Sequence, residues 1–397
     1  KGTINPLGYC TAWQAKQGLA KVTVTQTHKA DNGVRIFHFP TVLRFVVDGE
    51  VIDHPIEVSK QTEDFYVALP GEPEVVRFDP HYTVLAKVAF KKSDALLRAQ
   101  IACDDDMLGR LLAAKALGDR KTNEAADLLQ QTLASDSFFG VRIAAAAALA
   151  SHDSDESLER LAGCWQAQTD ARVRKVVVEK ATRRYHPVAR RVIDEVLAAE
   201  QNPDILSVAL EALARYSDAT AEKQLLENLA APSFRNTLAV SAIKAIEGRR
   251  DPSLAPTLLA VLRESADRFT TNGLAQGLRS LGQLAAGMDD TAEVREFLLQ
   301  WVNDPRDGVK TAALRGLGSL GDERALAAVR AFTTSSSSRV AAAAQEALRE
   351  LSEQKPTAPA EVVALRKDLA DLKDANTKLK DQLDELRKQV ESLGTRE

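Results

Sequence analysis

From residue 109 onward the apolar positions recur with a helical rhythm, and the helices themselves recur. Each copy opens on a small or β-branched residue, often followed by a basic one. It then runs through an Ala-rich stretch and reaches Leu or its equivalent eight residues after the start. The copies occupy residues 109–117, 141–149, 173–181, 205–213, 238–246, 273–281, 309–317 and 340–348, with starts separated by 32, 32, 32, 33, 35, 36 and 31 residues. Self-similarity at this period predicts stacked helix pairs, because one pair cannot bury its own apolar face and its neighbours complete the core. In each unit a first helix, such as 123–133, leads through a short turn into the repeated second helix. The expected architecture of residues 91–352 is an α-solenoid.

Residues 1–90 carry a different period. Leu19, Lys21, Thr23 and Thr25 alternate with Ala20, Val22 and Val24, which gives one polar and one apolar face of a strand. Asp31-Asn32-Gly33 tolerates positive φ and predicts a hairpin returning along 34–39. A second turn at Asp48-Gly49-Glu50 separates strands at 41–47 and 51–58, and further strands are expected at 64–69, 74–78 and 85–90. Six to eight short strands in this length predict a small antiparallel β-sandwich.

After a linker, 353–360, in which Pro356 and Pro359 stop the preceding helix, residues 361–394 follow an unbroken heptad. Val362, Leu369, Asn376, Leu383 and Val390 occupy the a positions, and Leu365, Leu372, Leu379, Leu386 and Leu393 the d positions. Leu at every d position with one buried Asn favours a parallel two-stranded coiled coil, since Asn376 pairs with its own copy only in register. Glu361 and Asp368 at g face Arg366 and Lys373 at e of the partner helix, in keeping with that orientation. An antiparallel contact with another protein and a single helix docked on the solenoid are the alternatives.

Composition narrows the function classes. The chain has 397 residues and is 45% apolar, enough for a sizeable core, yet only 5% aromatic, which suits closely stacked helices. A formal net charge of −4 supplies no global field for a polyanion, so nucleic acid is not an expected partner. No apolar run approaches the roughly 18 residues that span a bilayer, and no membrane partner is expected. Cys10, Cys103 and Cys164 are odd in number and widely spaced, which argues against a disulfide framework and leans towards a reducing, cytoplasmic compartment. The sequence starts at Lys1 rather than Met, so a fragment, a mature form or a truncated reading frame is expected.

The reactive motifs of the chain each have a structural reading. Gly316-Leu317-Gly318-Ser319-Leu320-Gly321 has the spacing of a dinucleotide loop, but Leu314, Leu317 and Leu320 continue a repeat helix, so the glycines are expected to serve close packing and helix termination. His28, His38, His54, His81, His152 and His186 form no compact ligand set, although His28 and His38 stand close across the first expected hairpin. Asp104-Asp105-Asp106 lacks the Gly and Glu of a calcium loop and precedes an apolar helix, so capping is expected. Arg183-Arg184, Arg190-Arg191 and Arg249-Arg250 have no interleaved aromatics and are read as solvated faces. No catalytic, cofactor-binding or metal-ligating residue is nominated.

Two resemblances follow from these residues. Asp136 and Asp304 lie five residues before Val141 and Val309, while Arg142, Arg174 and Lys310 follow repeat starts; loop Asp and helix Arg thereby suggest a ladder between units. This combination resembles HEAT repeats, which implies a surface for a protein or peptide partner. Residues 18–27 (Gly-Leu-Ala-Lys-Val-Thr-Val-Thr-Gln-Thr), Phe37-His38-Phe39-Pro40, Val47-Asp48-Gly49-Glu50, Val76-Arg77-Phe78-Asp79-Pro80 and the run Leu108 to Gly118 form an ordered set. That set is similar to the carboxy-terminal part of the aminopeptidase N-like zinc metallopeptidases, the gluzincin aminopeptidases. The resemblance implies a sandwich leading to a helical domain that covers the peptide cavity, with zinc in a catalytic half that this sequence does not contain. The family's zinc helix, its downstream Glu ligand and its Gly-x-Met-Glu-Asn segment have no match here. A related non-peptidase branch, the large initiator-binding subunit of the eukaryotic general transcription machinery, has the same domain order and acts as a scaffold. The expected role is therefore a non-catalytic accessory region that shapes or covers the cavity and dimerises its parent, the alternative being a self-standing scaffold.

For the heptad, sedimentation velocity at tens of micromolar is expected to show a homodimer for the unaltered chain. Asn376→Leu should broaden the oligomer distribution, whereas a monomeric unaltered chain contradicts the parallel pairing.

Overall fold

A computed structural model describes residues 7–28, 35–352 and the single position 372, with side chains described from Ala12 onward. The chain divides into two compact units, Lys1–Tyr216 and Ser217–Glu397. Unit 1 opens with seven strands: β1 (Leu7–Gln14), β2 (Leu19–Gln26), β3 (Phe39–Val47), β4 (Glu50–Val58), β5 (Thr62–Ala68), β6 (Val75–Phe78) and β7 (Val88–Phe90). They form sheets of order β5-β2-β1-β7 and β4-β3-β6. Ala20, Val22 and Val24 of β2 share one core with Leu43, Phe45 and Val47 of β3 and Ile56 and Val58 of β4. A one-residue slip would expose this whole set, so the period-2 pattern fixes the register. Asp48 and Gly49 both have positive φ, 49° and 81°, and close the β3–β4 hairpin at the Val47–Glu50 pair.

The first expected hairpin is corrected. Asp31-Asn32-Gly33 lies outside the described residues, and β2 pairs with β1 and β5. Residues 35–38 form no strand; Phe39 opens β3 instead. The Gln26 carboxamide explains this locally. Its Oε1 accepts the Phe37 N–H at 3.0 Å and its Nε2 donates to the Phe37 carbonyl at 2.8 Å, occupying backbone groups that a strand would offer to a neighbour. Strand β1 was not anticipated, and it pairs in parallel with β7, so this sheet is not wholly antiparallel.

The remainder of unit 1 is helical: α1 (Asp94–Ile101), α2 (Met107–Leu117), α3 (Asn123–Ser135), α4 (Phe139–Ser151), α5 (Asp155–Ala162), α6 (Ala171–Ala181), α7 (Pro187–Ala199) and α8 (Pro203–Leu213). Unit 2 contains α9 (Ala219–Ala230), α10 (Thr237–Arg249), α11 (Ala255–Ser265), α12 (Thr271–Ala285), α13 (Ala292–Trp301), α14 (Asp307–Leu320), α15 (Leu326–Arg330) and α16 (Ser338–Ser352). All eight copies of the repeated segment fall on the even-numbered helices. In each unit these helices pack against one another in a row, and each packs on the odd-numbered helix before it. The residue four after each start is buried, and so is the next one in every copy but the last, where Gln345 is exposed; Ala145 and Ala146, Val177 and Val178, and Ala209 and Leu210 are examples. Several helix starts are capped: Thr122, Ser154, Asn202, Asp218 and Thr270 accept N–H groups of the first turns.

An inter-repeat ladder is present in unit 1, but it differs from the expected one. Arg110, Arg142 and Arg174, 32 residues apart, reach Asp136, Gln168 and Glu200, also 32 apart, at 2.7, 3.4 and 2.8 Å. The end rungs are ion pairs and the middle rung is neutral, leaving the buried Arg142 Nε without a hydrogen-bond partner. Arg110 and Asp136 are each only 5% exposed, so the low value of a surface pair does not apply to them. Asp136 also accepts the Phe138 N–H at 2.9 Å, and Arg110 donates to the carbonyls of Cys103 and Asp104. Lys310 does not join a ladder; it pairs with Asp307 on its own helix at 3.7 Å.

In unit 2 glycines bring α12 and α14 together. A Cβ on Gly282 of α12 would fall on the Gly316 carbonyl of α14, and one on Gly316 would lie 2.7 Å from the Leu278 carbonyl. Two backbones therefore meet directly. The heptad residues Val362, Leu365, Leu369, Asn376, Leu379, Leu383, Leu386, Val390 and Leu393 lie outside the described residues, as does the 353–360 linker; Leu372 alone is described, as helical and exposed. Gly282→Ala is expected to destabilise unit 2 by about 2 kcal/mol or more through overpacking. Gly248→Ala, where nothing lies within 4 Å, should stabilise by about 0.5–1 kcal/mol. Urea denaturation of both variants checks the contrast, and equal effects contradict it.

Candidate protein-interaction surface

The reactive side chains found in the sequence are dispersed by the fold. His28 is buried beside the Phe37 ring with Nε2 3.2 Å from the Arg35 carbonyl, whereas His38 is exposed. His152 Nε2 lies 3.2 Å from the Leu117 carbonyl, and His186 caps α7 by accepting the Val188 N–H through Nδ1. His81 lies 3.8 Å from Asp53, and half-buried His54 sits on β4. Among the described residues no three His, Cys, Asp or Glu side chains are grouped to hold a metal ion, so these residues do not fit the zinc that the peptidase resemblance implies for a parent. Gly316 and Gly318 lie within α14, and Gly321, at φ 75°, ends it. Cys164 is buried, and burial pushes its thiol above the ordinary value.

The basic doublets are neutralised locally. Arg183 pairs with Asp153, Arg184 with Asp155, Arg191 with Glu159 and Arg190 with Asp194, mostly reaching back to the preceding helix pair. Arg249 faces Glu222 at 3.6 Å, and Arg250 takes the left-handed conformation after α10. Asp106, last of the acidic triplet, accepts the Gly109 N–H at 2.8 Å to cap α2 and forms a buried ion pair with Arg77 of β6.

Around that pair lies a polar cluster at the seam between sheet and helices. Lys92 Nζ donates to the Val76 carbonyl at 2.7 Å and to Gln100 Oε1, and Gln100 Nε2 donates to the Gly109 carbonyl at 2.6 Å. Desolvation, aided by the Arg77 guanidinium, lowers the Lys92 ammonium from 10.5 to about 7, against the opposing pull of Asp106. Nothing in the local pattern around Lys91-Lys92 distinguishes this residue, because its burial arises from the docking of β6 against α1. Two open clefts lie nearby in unit 1. One, of about 910 Å3, is lined by Trp13, Val76, Leu96 and Ala99, and another, of about 660 Å3, by Phe37, Phe39, Pro40 and Val84. Their walls are largely aliphatic and aromatic, with Glu72, Glu74, Ser93 and Arg98 as polar groups of the first and His28, His38, Thr41 and Thr83 of the second.

What the fold does assemble is a broad uncovered side on each row of even helices. In unit 1 it carries Leu108, Leu111 and Leu112 on α2, Ile143 and Ala147 on α4, Val176 on α6 and Val208 on α8, all at least partly exposed. Lys115, Lys175, Glu179 and Glu211 flank this apolar strip. In unit 2 the corresponding side is polar, with Lys244 on α10, Gln276 and Arg279 on α12, and Arg315 on α14. The repeat places equivalent residues side by side on successive helices.

Residues 85–181 and 275–349 match the family model for HEAT repeats. These two segments are similar to HEAT repeats. They lie in separate units, and the expected helix-pair solenoid is thus found by sequence family as well as by structure. Among solved structures, the chain is similar to an aminopeptidase A from Legionella pneumophila, crystallised with aspartic acid, at 12% identity and a TM-score of 0.44. That likeness covers 87% of this chain and 49% of the aminopeptidase chain, so the sequence spans about half of that structure. It is also similar to an engineered protein at 16% identity and a TM-score of 0.37, over 65% of this chain and 79% of the other. Both likenesses are too loose to carry a site or an activity across. No curated protein matches the chain.

The Lys92 cluster gives a pH dependence with a defined sign. Between about 7 and 10.5 the unfolded chain holds the Lys92 proton more tightly than the folded one, so its penalty is complete below pH 7 and is relieved as pH rises. Stability from this residue therefore increases with pH through that window, by at most about 1.4 kcal/mol per unit. Lys92→Met should flatten the slope in urea titrations at pH 6.5, 8.0 and 9.5; identical slopes in both proteins contradict the assignment.

Proposed function

We propose that this chain is a protein-interaction module whose docking surface is the uncovered side of its even-helix rows. The observation that carries this reading is the apolar strip of unit 1, in which Leu111, Leu112, Ile143, Val176 and Val208 remain accessible on helices whose other sides are packed. Aliphatic side chains aligned across successive helices, with Lys115 and Lys175 at the margin, suit an amphipathic peptide segment of a partner protein. Selection of a displayed peptide library against the full chain tests it. Enriched peptides should lose at least tenfold in affinity on Ile143→Glu and retain it on Asp127→Asn, on the odd helix α3. Peptides equally insensitive to both substitutions overturn the placement.

A second reading is favoured by the ordered residues of the sandwich and α2, from Gly18 through Phe37-His38-Phe39-Pro40 to Gly118. In it the module is an accessory arm of an aminopeptidase N-like zinc metallopeptidase, shaping or covering a peptide cavity formed by a catalytic half elsewhere in the parent, with the heptad containing Asn376 dimerising that parent. Reading the coding sequence upstream of Lys1 separates the two. An in-frame H-E-x-x-H helix followed by a Glu ligand supports the arm, and a start codon adjoining Lys1 removes it.

A further inference from the structure

We infer that the uncovered side of unit 2 is a docking surface for an acidic helical segment of a partner protein, with Arg279 and Arg315 as its anchors. This rests on the interaction-module reading and gives unit 2 a ligand chemistry distinct from that of unit 1. Lys244, Arg279 and Arg315 each stand six residues after a repeat start, at 238, 273 and 309, and therefore at equivalent places on α10, α12 and α14. On α16 the same position holds Glu346, and Arg339 stands at the start of that helix. In unit 1 the same repeat position holds Lys115, Ala147, Glu179 and Glu211, so the basic row is particular to unit 2.

At its centre the row is only partly compensated by carboxylates. Arg279 donates to the neutral Gln276 Oε1 at 2.8 Å, and among the described residues neither it nor Arg339 forms an ion pair. The nearby Glu247 is held by Gln276 Nε2 at 2.5 Å and Ser280 Oγ at 2.7 Å. Burial, together with the Arg315 and Arg339 charges, lowers the Arg279 guanidinium, and Glu247 opposes this only in part. A half-buried cation among other cations gains more from an incoming anion than a solvated surface arginine does. Arg315 is held at 3.1 Å by Glu346, an exposed pair that a competing carboxylate can open.

Spacing selects the ligand. The Gly282–Gly316 approach sets α12 and α14 closer than the about 8–10 Å usual for packed helices, so Arg279 and Arg315 stand side by side on adjacent helices. Glutamates seven residues apart on a helix, about 10.5 Å along one face, lie within reach of two such long side chains. Single-stranded nucleic acid is a poorer fit, because Val240, Gln276, Gln283, Ser319 and Ala342 offer no aromatic ring for base stacking, and Glu247 and Glu346 interrupt the positive field.

The test uses the full chain and a fluorescent 18-residue helical peptide of Ala and Gln with glutamates seven residues apart, alongside its lysine counterpart. Fluorescence anisotropy should show saturable binding of the glutamate peptide only, weakening at least fivefold from 50 to 300 mM salt. Arg279→Gln combined with Arg315→Gln should weaken it at least tenfold, while Glu346→Gln, by releasing Arg315, should tighten it at least twofold. The gain in affinity cannot arise from misfolding, and thermal melts verify that the double variant folds. No binding, unchanged affinity in the folded double variant, or tighter binding of a dT12 oligonucleotide overturns the inference. If library-selected peptides still depend on Ile143 in that event, the interaction-module reading stands; if they do not, both fall.

Discussion

The buried contact between Arg110 and Asp136 is the constraint on which the arrangement of unit 1 most depends. Asp136 sits in the turn that opens α4, and Arg110 belongs to α2, so one ion pair fixes two successive repeats in register. Both charges have left water, and only the accompanying bonds to Phe138 N–H and to the Cys103 and Asp104 carbonyls make that burial tolerable. Arg174 and Glu200 repeat the device 64 residues later, where Glu200 also receives the N–H groups of Gln201 and Asn202. Burial raises the Glu200 carboxyl, and these donors outweigh it and leave it below the ordinary value.

The repeated device explains how the uncovered side forms. Once the even helices are held in register, residues at one repeat position line up across the row, whatever their chemistry. Leu112, Val176 and Val208 become a strip in unit 1, and Lys244, Arg279 and Arg315 become a row in unit 2. Unit 2 reaches the same alignment without the arginine rungs. The Gly282–Gly316 approach brings α12 and α14 together, and Asp322, held well below the usual carboxylate range by Arg324, Arg295 and Thr291 despite its burial, ties the turn after α14 to α13. One position in the repeat can thus diverge in chemistry while the backbone arrangement persists.

The helix pairs were legible because their signal is redundant: eight copies share buried starts and a buried small-residue middle, and their spacing excludes coincidence. The β3–β4 hairpin was legible for a local reason, the positive φ of Asp48 and Gly49. Strand β1 was not, since its interior place in the sheet comes from parallel pairing with the distant β7 as well as from its hairpin with β2. At 35–38 the alternation does not give a strand, because the Gln26 side chain takes the Phe37 backbone. The ladder was half legible. Arg142 and Arg174 were recognised, but Arg110 was missed and the acceptor position was read as Asp, although Gln168 and Glu200 also occupy it. The Lys92 seam was illegible, because its chemistry arises from burial between distant segments.

A double-mutant cycle on Arg110 and Asp136 tests the account most directly, using urea denaturation of the full chain, Arg110→Met, Asp136→Ala and the pair. Each single change strands a buried charge or acceptor and is expected to cost about 3 kcal/mol, with the double variant recovering about 2 kcal/mol or more as coupling. Additive effects, with coupling near zero, would contradict the claim that this contact holds the repeats in register.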